Sequence, residues 1–102
     1  MNLYDCPYEI LNNELLLRQI ISEASIACKA NLVGIVSKQF HPQGVTVLGL
    51  LSESHISIHT WPEIGSAMAD ICTCGEARPE LGCQVLINKL EAGSHKIGQI
   101  ER

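Results

Sequence analysis

Leu15, Leu16, Leu17, Ile20, Ile21, Ala24, Ala27 and Cys28 recur at the three-to-four-residue spacing of one helical face. Asn12-Asn13 just before them can cap a helix, so the pattern predicts an amphipathic helix over residues 13 to 30. The period then shortens to two. Over residues 31 to 40, Val33, Ile35 and Ser37 fall on one side and Leu32, Val36 and Lys38 on the other, which predicts a strand. His41-Pro42-Gln43-Gly44 supplies the turn after it. Val45 to Leu51 and Ser54 to Trp61 are parted only by Ser52-Glu53, and a third segment, residues 66 to 73, follows Pro62-Glu63-Ile64-Gly65. These three predict an antiparallel meander. Residues 78 to 90 return to helical spacing, with Leu81, Val85, Leu86 and Leu90 on the buried side, and residues 95 to 100 read as a closing strand. Only residues 1 to 6 remain for a first strand, expected as a short edge or one that depends on a partner.

The order strand, helix, strands, helix, strand implies an α+β two-layer sandwich: a mainly antiparallel sheet with two helices on one face. At 102 residues, 46% hydrophobic and 18% charged, the chain fits a single domain, 1–102, with no room for a second core. Lys and Arg total seven, never cluster, and leave a net charge of -4, which argues against nucleic acid as a partner. The start Met1-Asn2-Leu3-Tyr4-Asp5 lacks a leader pattern, and the longest apolar run, Val45 to Leu51, is too short to span a bilayer. A soluble cytoplasmic protein with no membrane partner is the expectation. Cys6, Cys28, Cys72, Cys74 and Cys83 make an odd set, which reads as reduced thiols and not a disulfide framework.

Candidate chemistry concentrates in Ser52-Glu53-Ser54-His55-Ile56-Ser57-Ile58-His59-Thr60-Trp61-Pro62-Glu63 and in Asp70-Ile71-Cys72-Thr73-Cys74-Gly75. Hydroxyls, imidazoles and thiols on a strand that buries Ile56 and Ile58 are unfavourable unless something compensates, so their density suggests a site. A shared zinc ion fits poorly. His55 and His59 on an extended strand lie about 13 Å apart, against metal bonds of ~2 Å. Taken singly, the same residues have plainer readings. Ser54 and Glu53 make an ordinary hairpin loop, His59 a satisfied core histidine, and Cys74 a small buried hydrophobe like Cys28 and Cys83. Phe40 and Trp61 are core or interface aromatics, or faces on which an adenine stacks. Glu63 is a solvated carboxylate or a contact for a cationic substrate group.

The segment from His41-Pro42-Gln43-Gly44-Val45 through Ser52-Glu53-Ser54-His55, Ile58-His59-Thr60-Trp61-Pro62-Glu63 and Thr73-Cys74-Gly75 resembles the prokaryotic S-adenosylmethionine decarboxylase proenzymes. Similarity runs from about Tyr4 to Arg102. The resemblance implies a self-processing, pyruvoyl-dependent lyase of polyamine synthesis, cleaved between Glu53 and Ser54 into a beta chain, 1–53, and an alpha chain, 54–102. It implies that Ser54 becomes the pyruvoyl group that forms a Schiff base with substrate, that His59 serves processing, and that Cys74 is the proton donor. Thr46 falls where the family usually has a serine that assists processing. No metal and no pyridoxal phosphate are implied, and the implied product is the aminopropyl donor for spermidine. Arginine or ornithine as substrate is an alternative, as is an unprocessed binding or regulatory homologue. The family's usual start, an apolar first strand preceded by Gly-Arg-His, is absent and the tail is short, so a trimmed member is expected.

Strand arithmetic says who meets whom. With Ser52-Glu53 as the loop, Leu51 opposes Ser54 and Thr46 opposes His59 at about 5 Å. If the next turn centres on Ile64, Ser54 opposes Cys74. The two pairs lie roughly 16 Å apart along the strand, unless a bulge near Ile56 shortens the span. The expectation is therefore a homodimer with sites at the interface, in which Thr46 and His59 act on Ser54 of the other subunit.

Overall fold

The computed structural model describes residues 1–75 and 77–100. Strand β1 (Asn2–Tyr4) leads through the single-turn helix α1 (Tyr8–Leu11) into α2 (Glu14–Ala27). Next come β2 (Leu32–Gln39), β3 (Val45–Leu51), β4 (Ser54–Trp61), a 3-10 turn (Pro62–Ile64), β5 (Ser66–Cys72), α3 (Pro79–Lys89) and β6 (Ser94–Lys96). All strand pairs are antiparallel, in the order β2-β3-β4-β5-β1-β6. The fold is the expected α+β sandwich, but β1 is no edge: it lies between β5 and β6. The closing strand is shorter than its apolar pattern predicts, because it pairs only with the three residues of β1.

Alternation decides the faces. Val45, Val47 and Leu51 of β3, Ile56 and Ile58 of β4, and Ala67 and Ala69 of β5 point into one core, where they meet Leu17, Ile20, Ile21 and Ala24 of α2. Each fully buried Leu or Ile there contributes about 1.5–3 kcal/mol. Asn13 caps α2 by accepting from the Leu16 N–H at 3.1 Å. The intervening sheet positions, among them Thr46, Leu48 and Leu50, then His55, Ser57 and His59, occupy the opposite face. Among the described residues no helix covers that face: Leu48, Leu50, Val33, Val36 and Met68 are exposed on it.

Two pattern readings fail locally. A register shift between Leu32 and Gly34 turns Val33 outward while Ile35 faces the core, so the two do not share a side. Leu81 is 42% exposed, and the inward stripe of α3 is Gly82, Leu86 and Leu90 at four-residue spacing. The helices meet too closely for a side chain at Gly82, since a Cβ there would lie 2.3 Å from Cys28 Sγ.

Candidate active site

The β3–β4 connection is the two-residue loop Ser52-Glu53, flanked by the pair Leu51 and Ser54. Its second residue is strained. Glu53 has φ 65°, a left-handed conformation disfavoured for a residue with a Cβ by roughly 1–2 kcal/mol. The carbonyl of this residue accepts a hydrogen bond from the Cys74 thiol at 3.4 Å, and the same sulfur lies 3.8 Å from Ser54 Oγ. A serine hydroxyl, the carbonyl of the preceding residue and a thiol thus converge at the end of the sheet.

The route to that convergence differs from the expected one. The β4–β5 turn spans residues 62 to 65 with Trp61 opposite Ser66, so the ladder is one residue out and ends with His55 opposite Cys72. Continued, it would place Thr73, not Cys74, across from Ser54. The chain instead leaves the strand after Cys72, and the thiol of Cys74 returns to the hairpin from outside the ladder. Cys74 is exposed, whereas Cys6 and Cys28 are buried and Cys83 partly so, and burial pushes those three thiols up.

Ser54 and Cys74 open onto a broad cleft of 1010 Å³, closed on the helix side by Ile26, Lys29, Asn31 and Arg78. Sequence reasoning missed the two cations. The chain brings them together only through the α2–α3 junction, where the Arg78 N–H donates to the Cys28 carbonyl at 2.8 Å. The one local signal is a lysine at the position after the helix cap that usually takes glycine, and it shows only once the end of α2 is known.

Thr46 and His59 are cross-strand partners as expected, and Thr46 Oγ1 and His59 Nδ1 share a hydrogen bond. Phe40 and Trp61 flank the imidazole edge-on, at centroid distances of 6.0 and 4.4 Å. His59 also lines a small pocket of 80 Å³ with Thr46, Ser57, Met68 and Asp70 among others. Asn12 fixes the loop behind Phe40, since its Oδ1 accepts from the Gly44 N–H at 3.0 Å and from Gln39 Nε2 at 2.9 Å. Thr60, buried between these elements, donates to the Leu11 carbonyl at 2.7 Å and accepts from the Val45 N–H at 3.0 Å. Glu63 is exposed on the 3-10 turn and lines neither cavity.

The two groups do not meet within one chain. Pairing along β4 is regular, without the bulge that could have shortened it, so five residues separate Ser54 from His59 by about 16 Å. An odd separation also gives them opposite parity on the strand. Among the described residues, no three His, Cys, Asp or Glu side chains gather as a metal cluster, and no helix is long and apolar enough to cross a membrane.

A two-layer α+β domain that sets a serine hydroxyl 3.8 Å from a thiol, beside a left-handed hairpin residue, has the groups of an enzyme site. The chain belongs to the S-adenosylmethionine decarboxylase family, whose profile matches residues 1–102. It is 45% identical to an S-adenosylmethionine decarboxylase proenzyme of Prochlorococcus marinus (strain MIT 9313), over 100% of this chain and 82% of the relative. A proenzyme of the same name from Methanococcus aeolicus is 43% identical over 100% of this chain and 88% of that one. The solved adenosylmethionine decarboxylase of Aquifex aeolicus superposes with a TM-score of 0.83 at 29% identity, over 98% of this chain and 88% of that chain.

Proposed function

We propose that this chain decarboxylates S-adenosylmethionine through a pyruvoyl group made from its own Ser54, and so supplies the aminopropyl donor for spermidine in the cytoplasm. The observation that carries the reading is the contact of Cys74 with both the Glu53 carbonyl and the Ser54 hydroxyl across a left-handed turn. Ser54 Oγ attacks the Glu53 carbonyl carbon, the C–N bond breaks and an ester forms, with the thiol stabilising the charge that develops on oxygen. A base then removes the α-proton of residue 54, and the Cβ–O bond breaks to leave a carboxylate on Glu53. The dehydroalanine at residue 54 takes up water and releases ammonia.

The resulting pyruvoyl group supplies an electron sink for loss of carbon dioxide from an amino acid bound through its amine. The chain's own contribution is to hold Cys74 beside residue 54, where its proton can reach the substrate carbon after carbon dioxide departs. The relatives named above are S-adenosylmethionine decarboxylases, which favours that substrate over arginine and ornithine.

The homodimer belongs to the same proposal. His59 cannot reach Ser54 of its own chain, and the apolar sheet face that carries Thr46 and His59 is left bare, with Val36 63% and Leu50 58% exposed. A second copy packed on this face would cover it and bring His59 of the partner subunit to the hairpin end. Intact mass after expression tests cleavage, with two fragments expected. Mixing Ser54→Ala and His59→Ala chains tests the dimer, with partial recovery of cleavage expected and no recovery counting against shared sites. Release of carbon dioxide from S-adenosylmethionine, arginine and ornithine in parallel tests the substrate.

A further inference from the structure

Cleavage at Glu53 creates a charge that the uncleaved chain lacks. Residue 53 ends in a new α-carboxylate beside its own side-chain carboxylate, at the mouth of the cleft that also holds Ser54 and Cys74. We propose that Lys29 and Arg78 seat this C-terminal carboxylate and hold the end of the 1–53 chain clear of the group formed at residue 54. The inference rests on the self-cleavage reading above.

The cations are placed for the task by the backbone. Arg78 is tied through its N–H to the carbonyl of Cys28, the neighbour of Lys29, so both side chains spring from one junction and line one cleft. Only seven Lys and Arg residues exist in the chain, and two of them border this opening. Neither is strongly engaged. Arg78 has a 3.8 Å pair with Glu80 in which both side chains are about 60% exposed, a geometry of little strength, and no ion pair involves Lys29 among the described residues.

Lys29 also sits where its backbone is uncomfortable. The α2 terminus closes with Lys29 N–H to the Ile26 carbonyl and Ala30 N–H to the Ser25 carbonyl, both 3.0 Å, which puts Lys29 at φ 61°. Glycine is the residue that this motif favours, so the lysine stands there against local preference. The substrate's carboxylate is a poorer candidate ligand. It must leave as neutral carbon dioxide, and two cations bound to it would stabilise the starting state more than the transition state. A chain end that stays anionic after processing has no such conflict.

Protection of the new terminus gives the test. Fully cleaved wild type, Lys29→Gly/Arg78→Gln and Lys29→Arg would be treated with a carboxypeptidase, and loss of Glu53 from the 1–53 chain followed by mass. Wild type and Lys29→Arg should be trimmed roughly tenfold more slowly than the double variant, as charge-assisted contacts to a carboxylate are lost. Lys29→Gly alone, which relieves the positive φ, should not lower the melting temperature, so faster trimming in it would not reflect unfolding. Equal trimming of wild type and double variant would overturn the proposal. So would a double variant that fails to cleave, which would place the cations before the carboxylate exists, or a raised KM for S-adenosylmethionine with trimming unchanged. A wild type that never splits would instead remove the self-cleavage reading itself, and intact mass separates that case.

Discussion

Replacing Cys74 by serine and by alanine separates two tasks assigned to one thiol. The sulfur donates to the Glu53 carbonyl at 3.4 Å and lies 3.8 Å from Ser54 Oγ, so the proposed function uses it first at the carbonyl and, after cleavage, beside residue 54. A well-placed oxyanion donor accelerates acyl transfer by about 10²–10³, but a thiol is a weak donor. We therefore expect Cys74→Ala to slow cleavage by roughly tenfold, about 1.4 kcal/mol of barrier. Loss of the acid that protonates carbon is larger, roughly 10²–10⁴ in turnover per cleaved site. Serine restores a hydrogen-bond donor to the carbonyl but not an acid of comparable strength. Cys74→Ser should accordingly cleave within a few-fold of wild type while decarboxylating as poorly as Cys74→Ala. Intact mass against time reads the first quantity, and carbon dioxide release normalised to the cleaved fraction reads the second. Alanine cleaving at the wild-type rate would show that the carbonyl contact does nothing, and serine decarboxylating normally would remove the thiol from proton transfer.

Thr46→Val deprives His59 Nδ1 of its partner and should slow cleavage about tenfold, while Thr46→Ser keeps the hydroxyl and cleaves at least as fast as wild type, both followed by mass. Leu50→Lys places a charge on the bare sheet face and should give a monomer on size-exclusion chromatography that does not cleave. Gly82→Ala forces a Cβ against Cys28 Sγ and should lower unfolding free energy by about 1–3 kcal/mol in a denaturant titration. Thr60→Val strands the Leu11 carbonyl and the Val45 N–H in the interior, and the same titration should show a loss of about 2 kcal/mol.

What could be read from residues alone followed how tightly each turn constrains its strands. Ser52-Glu53 is too short to allow a second register, so the loop length alone dictates the pairing of Thr46 with His59. The four residues 62 to 65 leave a choice of one position, and the choice matters because a slip of one moves every side chain to the other face. Cys74 reaches Ser54 all the same because it lies beyond the ladder, where parity no longer binds it. Lys29 and Arg78 were invisible for another reason: their proximity comes from a helix junction that no local pattern encodes. The separation of Ser54 from His59 is of a different kind, since it was legible as a conflict. A single chain could bring them together only by breaking β4 between Ile56 and Ile58, both buried against α2 and its neighbours. Removing those two side chains from the core would forfeit about 3–6 kcal/mol, a large share of what a domain of this size has to spare. The second copy of the proposed homodimer would resolve the conflict without touching the core, and it would cover the apolar face that one chain leaves open.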